Sequence, residues 1–258
     1  MQVLIRPWGA MHVRQDGAAQ GPAVVFANSL GTDLRLWDAL LPLLPAGFRF
    51  VRYDKRGHGL SDLGGPVTVA DLAADAAALI ETLGGPVVFV GLSIGGLIAQ
   101  TLAARRPELL RALVISNSAA KLGTQQSWQA RIDAVRTDGL AGIADAVMER
   151  WFAPAFRASA LVTPWRNMLV RTPEEGYIAA CGALARADQT EATRALTLPT
   201  LVIAGGKDGS TPPDLVRATA DLITDASFHI VPATGHLPCV ENPAAYAAIL
   251  GPFLQAHA

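Results

Sequence analysis

The stretch Val87-Val-Phe-Val-Gly-Leu-Ser-Ile-Gly-Gly-Leu-Ile-Ala-Gln100 runs an apolar strand into a serine boxed by glycines and straight on into a helix. A chain makes so sharp a corner for one of two reasons. Either the backbone needs the turn and the serine is incidental, or the corner holds a hydroxyl out where it can react. Gly91-Leu92-Ser93-Ile94-Gly95 fits G-x-S-x-G, with the strand before and helix after that this pattern requires. At such an elbow the serine takes a strained backbone conformation, and side chains two positions either way would collide with the turn or neighbouring strands. Gly96 and Ala99 keep the following helix thin against the sheet. The context favours Ser93 as a nucleophile.

The rest of the chain sets the frame. Its 258 residues suffice for one large α/β domain or two small ones with a substantial core. Hydrophobic residues make up 51% and charged residues 17%, well outside the disordered class. A net charge of −1 argues against nucleic acid and acidic membrane surfaces as partners. The opening MQVLIRPWGAMHVRQDG carries an early Arg, a Pro and an Asp but no sustained apolar run, and reads as neither signal peptide nor transmembrane helix. Cys181 and Cys239 form no metal or disulfide pattern, and a reducing cytoplasm is the simplest setting.

Short β-rich runs alternate with longer alanine- and leucine-rich segments. Strands are expected near Met11–Arg14, Ala23–Ala27, Phe48–Tyr53, Val87–Val90, Leu110–Ile115, Thr200–Ala204 and Ser227–Ile230. Several are continuously apolar, as in a parallel sheet covered on both faces. Helices are expected at Leu34–Leu44, Val69–Leu83, Ile94–Arg105, Pro213–Leu222 and Pro243–Gln255, with start signals at Thr68 and at Asn242-Pro243. The rhythm is that of a doubly wound, mostly parallel α/β sheet. It breaks over 119–188, a helical stretch with three of the five tryptophans and proline stops at Pro154, Pro164 and Pro173. We expect residues 1–118 and 189–258 to form the core, and 119–188 to be an inserted helical cap over the strand ends.

A serine hydroxyl needs a base to take its proton and an acid to orient that base, here in the order serine, acid, histidine. Downstream of Ser93 stand His229, His236 and His257. His229 falls within the strand SFHIV and reads as a packed strand histidine, and His257 sits at a fraying end. His236 follows Pro-Ala-Thr-Gly in a loop just past that strand, and is the expected base. Asp208, in the Gly-rich turn after TLVIA, is the expected acid. Its competitor Asp214 falls in a first helical turn, where a carboxylate favours the helix dipole without further purpose. The turn after the preceding strand reads Ser116-Asn117-Ser118 and offers no carboxylate.

The tetrahedral intermediate needs donors aimed at its oxyanion. The backbone N–H groups of Ile94, after the nucleophile, and of Leu30, in the turn Asn28-Ser29-Leu30-Gly31, are the expected pair. Asp54-Lys-Arg-Gly-His-Gly-Leu-Ser61 is dense in polar groups but reads as a structural turn, with Asp54 and Arg56 satisfying local backbone groups and His58 left open at the pocket rim.

With these residues in place the chain resembles the α/β-hydrolase superfamily over essentially its whole length. More narrowly it is similar to the 3-oxoadipate enol-lactonases, through NSLGTDLRLWD, YDKRGHGLSD, GLSIGGLIAQ and the cap stretch WRNMLVRTPEEGYIAACGAL. The resemblance implies hydrolysis of a small-molecule enol-lactone through an acyl-enzyme, without metal or organic cofactor. That substrate carries a free carboxylate, so a cap cation should meet it. Of Arg131, Arg136, Arg150, Arg157, Arg166 and Arg171, we favour Arg131 and Arg171. Trp128 and Trp151 read as cap core that doubles as substrate wall. Two rivals use the same fold: a carboxylesterase or cofactor-free perhydrolase with this triad, and a ligand receptor that signals through its cap.

Overall fold

The continuously apolar runs become the inner strands of one eight-stranded sheet in the computed structural model, which describes residues 2–258. The strands are β1 (Gln2–Arg6), β2 (Gly9–Gly17), β3 (Ala23–Ala27), β4 (Arg49–Tyr53), β5 (Val87–Leu92), β6 (Leu110–Ser116), β7 (Thr200–Gly205) and β8 (Ser227–Val231). Their order is β1-β2-β4-β3-β5-β6-β7-β8. The β1–β2 and β2–β4 pairs are antiparallel and all others parallel. Every residue of β3, β5 and β7 is buried, so each of these strands needs cover on both faces.

That cover comes from α1 (Val69–Glu81) and α2 (Ile94–Arg105), then from helices after β6 and β7. Between β6 and β7 lie α3 (Gln125–Trp151), α4 (Pro154–Arg157), α5 (Thr163–Val170), α6 (Glu174–Arg186) and α7 (Thr190–Arg194). The chain then adds α8 (Pro213–Ala220), α9 (Pro238–Glu241) and α10 (Pro243–His257). Thr68 and Asp71 form a reciprocal capping box that starts α1, and Asn242 Oδ1 accepts the Ala245 N–H at 3.0 Å to start α10. Among the described residues no helix is long and apolar enough to cross a membrane.

Three expectations are corrected here. Leu34–Leu44 is not one helix but two 3₁₀ turns, Leu34–Trp37 and Leu41–Leu43. The Leu34 carbonyl, which an α-helix would give to Asp38 N–H, accepts from Arg52 Nη1 at 2.9 Å instead, and Pro42 has no N–H to donate. His229 is exposed rather than packed, because β8 is the edge of the sheet. His257 is not frayed: it ends α10 with its ring 4.6 Å from that of Phe253. Strand β1 had no counterpart in the sequence reading, and β2 extends well beyond Met11–Arg14 on both sides.

The stretch between β6 and β7 leaves and rejoins the sheet at one place, where Gln189 N–H donates to Ala120 O at 2.8 Å. Helix α3 breaks at Gly139 (φ 67°), and Leu140 N–H just past the break donates to Glu174 Oε1 at 3.2 Å. Helix α6 in turn rests on the turn after β4 backbone to backbone. A Cβ on Gly57 (φ 67°) would lie 2.4 Å from Gly176 Cα, so this contact closes only between glycines.

Candidate active site

Strand β5 delivers Ser93 to the corner with φ 59° and ψ −118°, a conformation that costs a non-glycine residue about 1–3 kcal/mol. The surroundings hold it there. Ser93 N–H donates to Ser116 O at 2.9 Å, continuing the β5–β6 ladder one residue past the strand. A Cβ at Gly91 would sit 2.1 Å from Gly95 O, and one at Gly95 would sit 2.2 Å from Ala27 O. Both glycines of the motif are therefore required by backbone approach, as the sequence implied.

Asp208 lies in the turn after β7 and His236 in the loop after β8, both buried. His236 Nδ1 lies 2.8 Å from Asp208 Oδ2. The carboxylate also accepts from Asn117 Nδ2 at 2.9 Å and Thr211 Oγ1 at 2.6 Å, while its other oxygen takes the Ser210 and Thr211 N–H groups at 2.7 and 2.9 Å. Burial pushes this carboxyl up. The His236 charge and the hydrogen bonds from His236, Asn117 and Thr211 outweigh it and hold Asp208 below the usual carboxylate range. An ionised Asp208 takes the Nδ1 proton as a hydrogen bond and leaves Nε2 as the basic nitrogen.

The His236 loop is anchored to the strand ends, where Lys207 N–H donates to Thr234 O at 2.7 Å and Asn117 Nδ2 to Gly235 O at 3.3 Å, and also to the end of α3. His236 N–H donates to Trp151 O at 2.7 Å, and the Glu241 carboxylate bridges Gly235 N–H (2.6 Å) and Ala153 N–H (3.0 Å). Burial raises the Glu241 carboxyl, against those two hydrogen bonds.

The turn after β3 brings Leu30 to the same place, and Ile94 is the first residue of α2. Neither N–H donates to a protein group among the described hydrogen bonds, which leaves both available for a negatively charged oxygen. Behind this turn stands the Asp54–Ser61 stretch. Asp54 does satisfy backbone groups, accepting from Leu34 N–H (2.8 Å) and Leu60 N–H (3.0 Å), and it holds His12 at 2.8 Å. Arg56 does not. It forks onto Asp75 and lies 4.9 Å over the Trp8 ring. His58 is not at the rim but wholly buried, its Nε2 accepting Gly31 N–H at 3.1 Å and its Nδ1 lying 3.1 Å from Arg56 O. Burial and then the neighbouring Lys55 charge keep its proton affinity well below that of an ordinary histidine, so it serves as a neutral strut. Lys55 itself donates to Ser29 O at 2.6 Å and Thr32 O at 3.3 Å.

Ser93 and His236 line one cleft of about 200 Å³, together with Leu30, Trp128, Trp151 and Tyr177. Arg131 and Arg150 reach the same cleft. Arg131 Nη1 donates to Tyr177 Oη at 3.2 Å. Burial lowers the Arg150 guanidinium, and Arg131 beside it lowers it further. Three other arginines of this region pair with acids: Arg136 with Asp133, Arg157 with Glu149 and Arg166 with Asp145. Among the described residues Arg131 and Arg150 have no such partner. Arg171 is a correction. It lines a separate cleft with His12, Asp33 and Asp54, because it caps the far end of α5. Arg150, not Arg171, lines the Ser93 cleft, and sequence periodicity carries no sign of that. As neighbours in a straight helix, residues as far apart as 131 and 150 would stand roughly 28 Å apart, and only the break at Gly139 turns both ends to one cavity. Asn117 and Thr211 were likewise unread, although an asparagine at φ 46° is among the few non-glycine residues that tolerate that region.

A buried serine at a strained strand-to-helix corner, a carboxylate-bonded histidine lining the same cleft, and two amides without protein partners are the kinds of group that acyl transfer uses. The sequence profile of the alpha/beta hydrolase family matches residues 24–249, and the chain belongs to that family. It is 36% identical over 241 residues to 3-oxoadipate enol-lactonase 2 of Acinetobacter baylyi, covering 92% of this chain and 90% of that protein. Among solved structures, the enol-lactonase from Burkholderia xenovorans superposes with a TM-score of 0.94 at 33% identity, over 98% of this chain and 100% of that one. A thermophilic esterase from Thermogutta terrifontis gives a TM-score of 0.92 at 27% identity, over 100% of both chains.

Proposed function

We propose that this chain is a serine hydrolase that opens 3-oxoadipate enol-lactone with water to give 3-oxoadipate, a step of aromatic catabolism. The observation that carries the reading is the pair Arg131 and Arg150, without acidic partners, in the cleft that holds Ser93 and His236. A neutral ester needs no cation there, whereas a lactone with a free carboxylate does. The enol-lactonase names of two relatives point the same way.

In this reading Ser93 Oγ attacks the lactone carbonyl while His236 Nε2 takes the hydroxyl proton, and Asp208 holds the imidazole through Nδ1. The carbonyl oxygen, now negative, is met by the Leu30 and Ile94 N–H groups. Collapse breaks the ring C–O bond and expels an enolate. His236 returns its proton to that enolate, which becomes the ketone. Water, giving its proton to His236, then attacks the Ser93 ester and releases the second carboxyl group as the serine recovers its hydrogen. Residues 119–188 act as a cap whose arginines and tryptophans select the substrate. The two buried free thiols suit a cytoplasmic location.

The test follows loss of the enol-lactone ultraviolet absorbance for wild type and Ser93→Ala. Rapid loss that the substitution abolishes supports the reading. An inert wild type that still cleaves phenyl acetate leaves a plain carboxylesterase in its place.

A further inference from the structure

The peptide that carries the Leu30 N–H has Ser29 O at its other end, and the peptide that carries the Ile94 N–H has Ser93 O. Each of these carbonyl oxygens accepts a hydrogen bond from a buried side chain on the side away from the cleft. Lys55 Nζ donates to Ser29 O at 2.6 Å, and Ser118 Oγ donates to Ser93 O at 2.7 Å. Lys55 is 3% exposed and Ser118 is 0% exposed. A peptide group is one conjugated dipole, so a donor on its oxygen draws electron density from the nitrogen and makes the N–H more positive.

We propose that Lys55 and Ser118 are positioning residues of the oxyanion hole, each polarising and fixing from behind one of the two amides that face the cleft. The proposal rests on the reading of Ser93, Leu30 and Ile94 given above. Simple satisfaction of buried carbonyls does not account for the arrangement. Ser93 O already accepts Gly96 N–H at 2.8 Å as the first bond of α2, and has no structural need of another donor. In the same turn Asn28 Oδ1 and Ser29 Oγ are buried with no partner at all, so the turn is not one in which every polar group has been provided for. A buried amine is also an expensive donor. Burial lowers the Lys55 pKa to about 7, with Asp54 and Asp33 opposing it. The amine donates to Ser29 O in either protonation state, and polarises most as the ammonium.

Lys55→Met and Ser118→Ala, singly and together in the full chain, test this against three ligands. Phenyl acetate gives kcat and KM. Phenylboronic acid, whose boron accepts the serine oxygen and becomes a tetrahedral anion, reports oxyanion stabilisation. Adipate reports ground-state binding by the cleft arginines. Each single variant is expected to lose about 3- to 10-fold in kcat and to weaken boronate inhibition by a similar factor. KM and adipate inhibition should stay within about twofold, because neither involves the oxyanion. Unchanged kcat and boronate inhibition overturns the proposal. So does a parallel loss of boronate and adipate inhibition with a lowered Tm, which marks a disordered turn. Where Lys55→Met does not fold, Ser118→Ala decides alone, since it removes one hydroxyl and no backbone support. Ser93→Ala separates the two readings. Full activity in Ser93→Ala sinks both, whereas an inert Ser93→Ala beside fully active Lys55→Met and Ser118→Ala sinks only this one.

Discussion

Arg131 and Arg150 stand on opposite sides of the Gly139 break in one helix, yet both line the same cleft, where burial and then the Arg131 charge disfavour the Arg150 cation. Two unpaired positive charges side by side are unfavourable until an anion arrives between them. On the proposed function, removing Arg150 therefore costs binding of an acidic substrate and little else, whereas Arg131 also donates to Tyr177 Oη. Arg150→Ala is expected to lower kcat/KM for 3-oxoadipate enol-lactone by about 10- to 100-fold, the worth of one charge-assisted hydrogen bond. Phenyl acetate, which has no carboxylate, should change by about twofold at most. Steady-state kinetics on both substrates check this, and Arg171→Ala should leave both unchanged. Equal losses on the two substrates would mean that Arg150 merely props the cleft open.

Asp208 is surrounded by donors that favour its ionised form. Asp208→Asn removes the charge and the preference for a proton on His236 Nδ1, and kcat should fall by roughly 10³- to 10⁴-fold with the fold intact. Asn117→Ala takes away one of the donors that hold this carboxyl down. A depressed carboxyl contributes stability that is present above its unfolded value and lost as the pH falls through the folded one. With the depression reduced, the Asn117→Ala variant should unfold at a higher pH than wild type on acid titration. Circular dichroism against pH reads the difference, and identical acid midpoints would contradict it.

The glycine-to-glycine contact between the turn after β4 and α6 has a direct consequence for stability. Gly57→Ala places a methyl carbon 2.4 Å from Gly176 Cα and also strains a positive φ. Since both neighbours are backbone, one element must move. Overpacking of this kind costs about 1–3 kcal/mol, and the left-handed backbone adds roughly 1 kcal/mol. For a chain of this size the Tm should drop by about 4–12 °C. Differential scanning calorimetry gives the shift. A Tm within a degree or so of wild type would show that α6 can lift off the turn freely.

Lys55 predicts a dependence of stability on alkaline pH. Its folded value, about 7, lies below the 10.5 of an exposed lysine. Between those two values the unfolded chain binds a proton that the folded chain does not, so stability rises with pH across that window. Below about pH 7 the full penalty of burying the cation is present. The difference in urea midpoint between wild type and Lys55→Met should therefore shift in favour of wild type from pH 7 to pH 10. A difference constant over that range would place the lysine charge outside the buried network.

The strand-to-serine-to-helix corner could be read in the sequence because everything that defines it is local: Gly91, Ser93 and Gly95 collide or fit within a few residues of one another. The places of Asp208 and His236 are legible for a related reason, since each follows a strand that announces itself by an apolar run. What could not be read depends on partners far away in the chain. The 3₁₀ turns at Leu34–Trp37 and Leu41–Leu43 carry a helical pattern, which the claim of distant Arg52 on the Leu34 carbonyl, with the missing N–H of Pro42, diverts. His229 looked like a packed residue because strand order, which leaves β8 at an edge, is not written in a strand's own sequence. Arg150 was passed over for Arg171 because helical periodicity assumes a straight helix, and Gly139 breaks it.

The bond from His236 N–H to Trp151 O ties the base to the end of α3 as well as to the turn that carries Asp208, and from that same turn Gly209 N–H donates to Arg150 O at 3.2 Å. Glu241 doubles the tie through Gly235 and Ala153. The wall of the cleft and the proton acceptor are thus one mechanical unit. Displacing the end of α3 would have to drag His236 from its carboxylate or break these bonds. Wall, base and acid turn therefore keep their spacing together, and a substitution that loosens the end of α3 loosens the base with it.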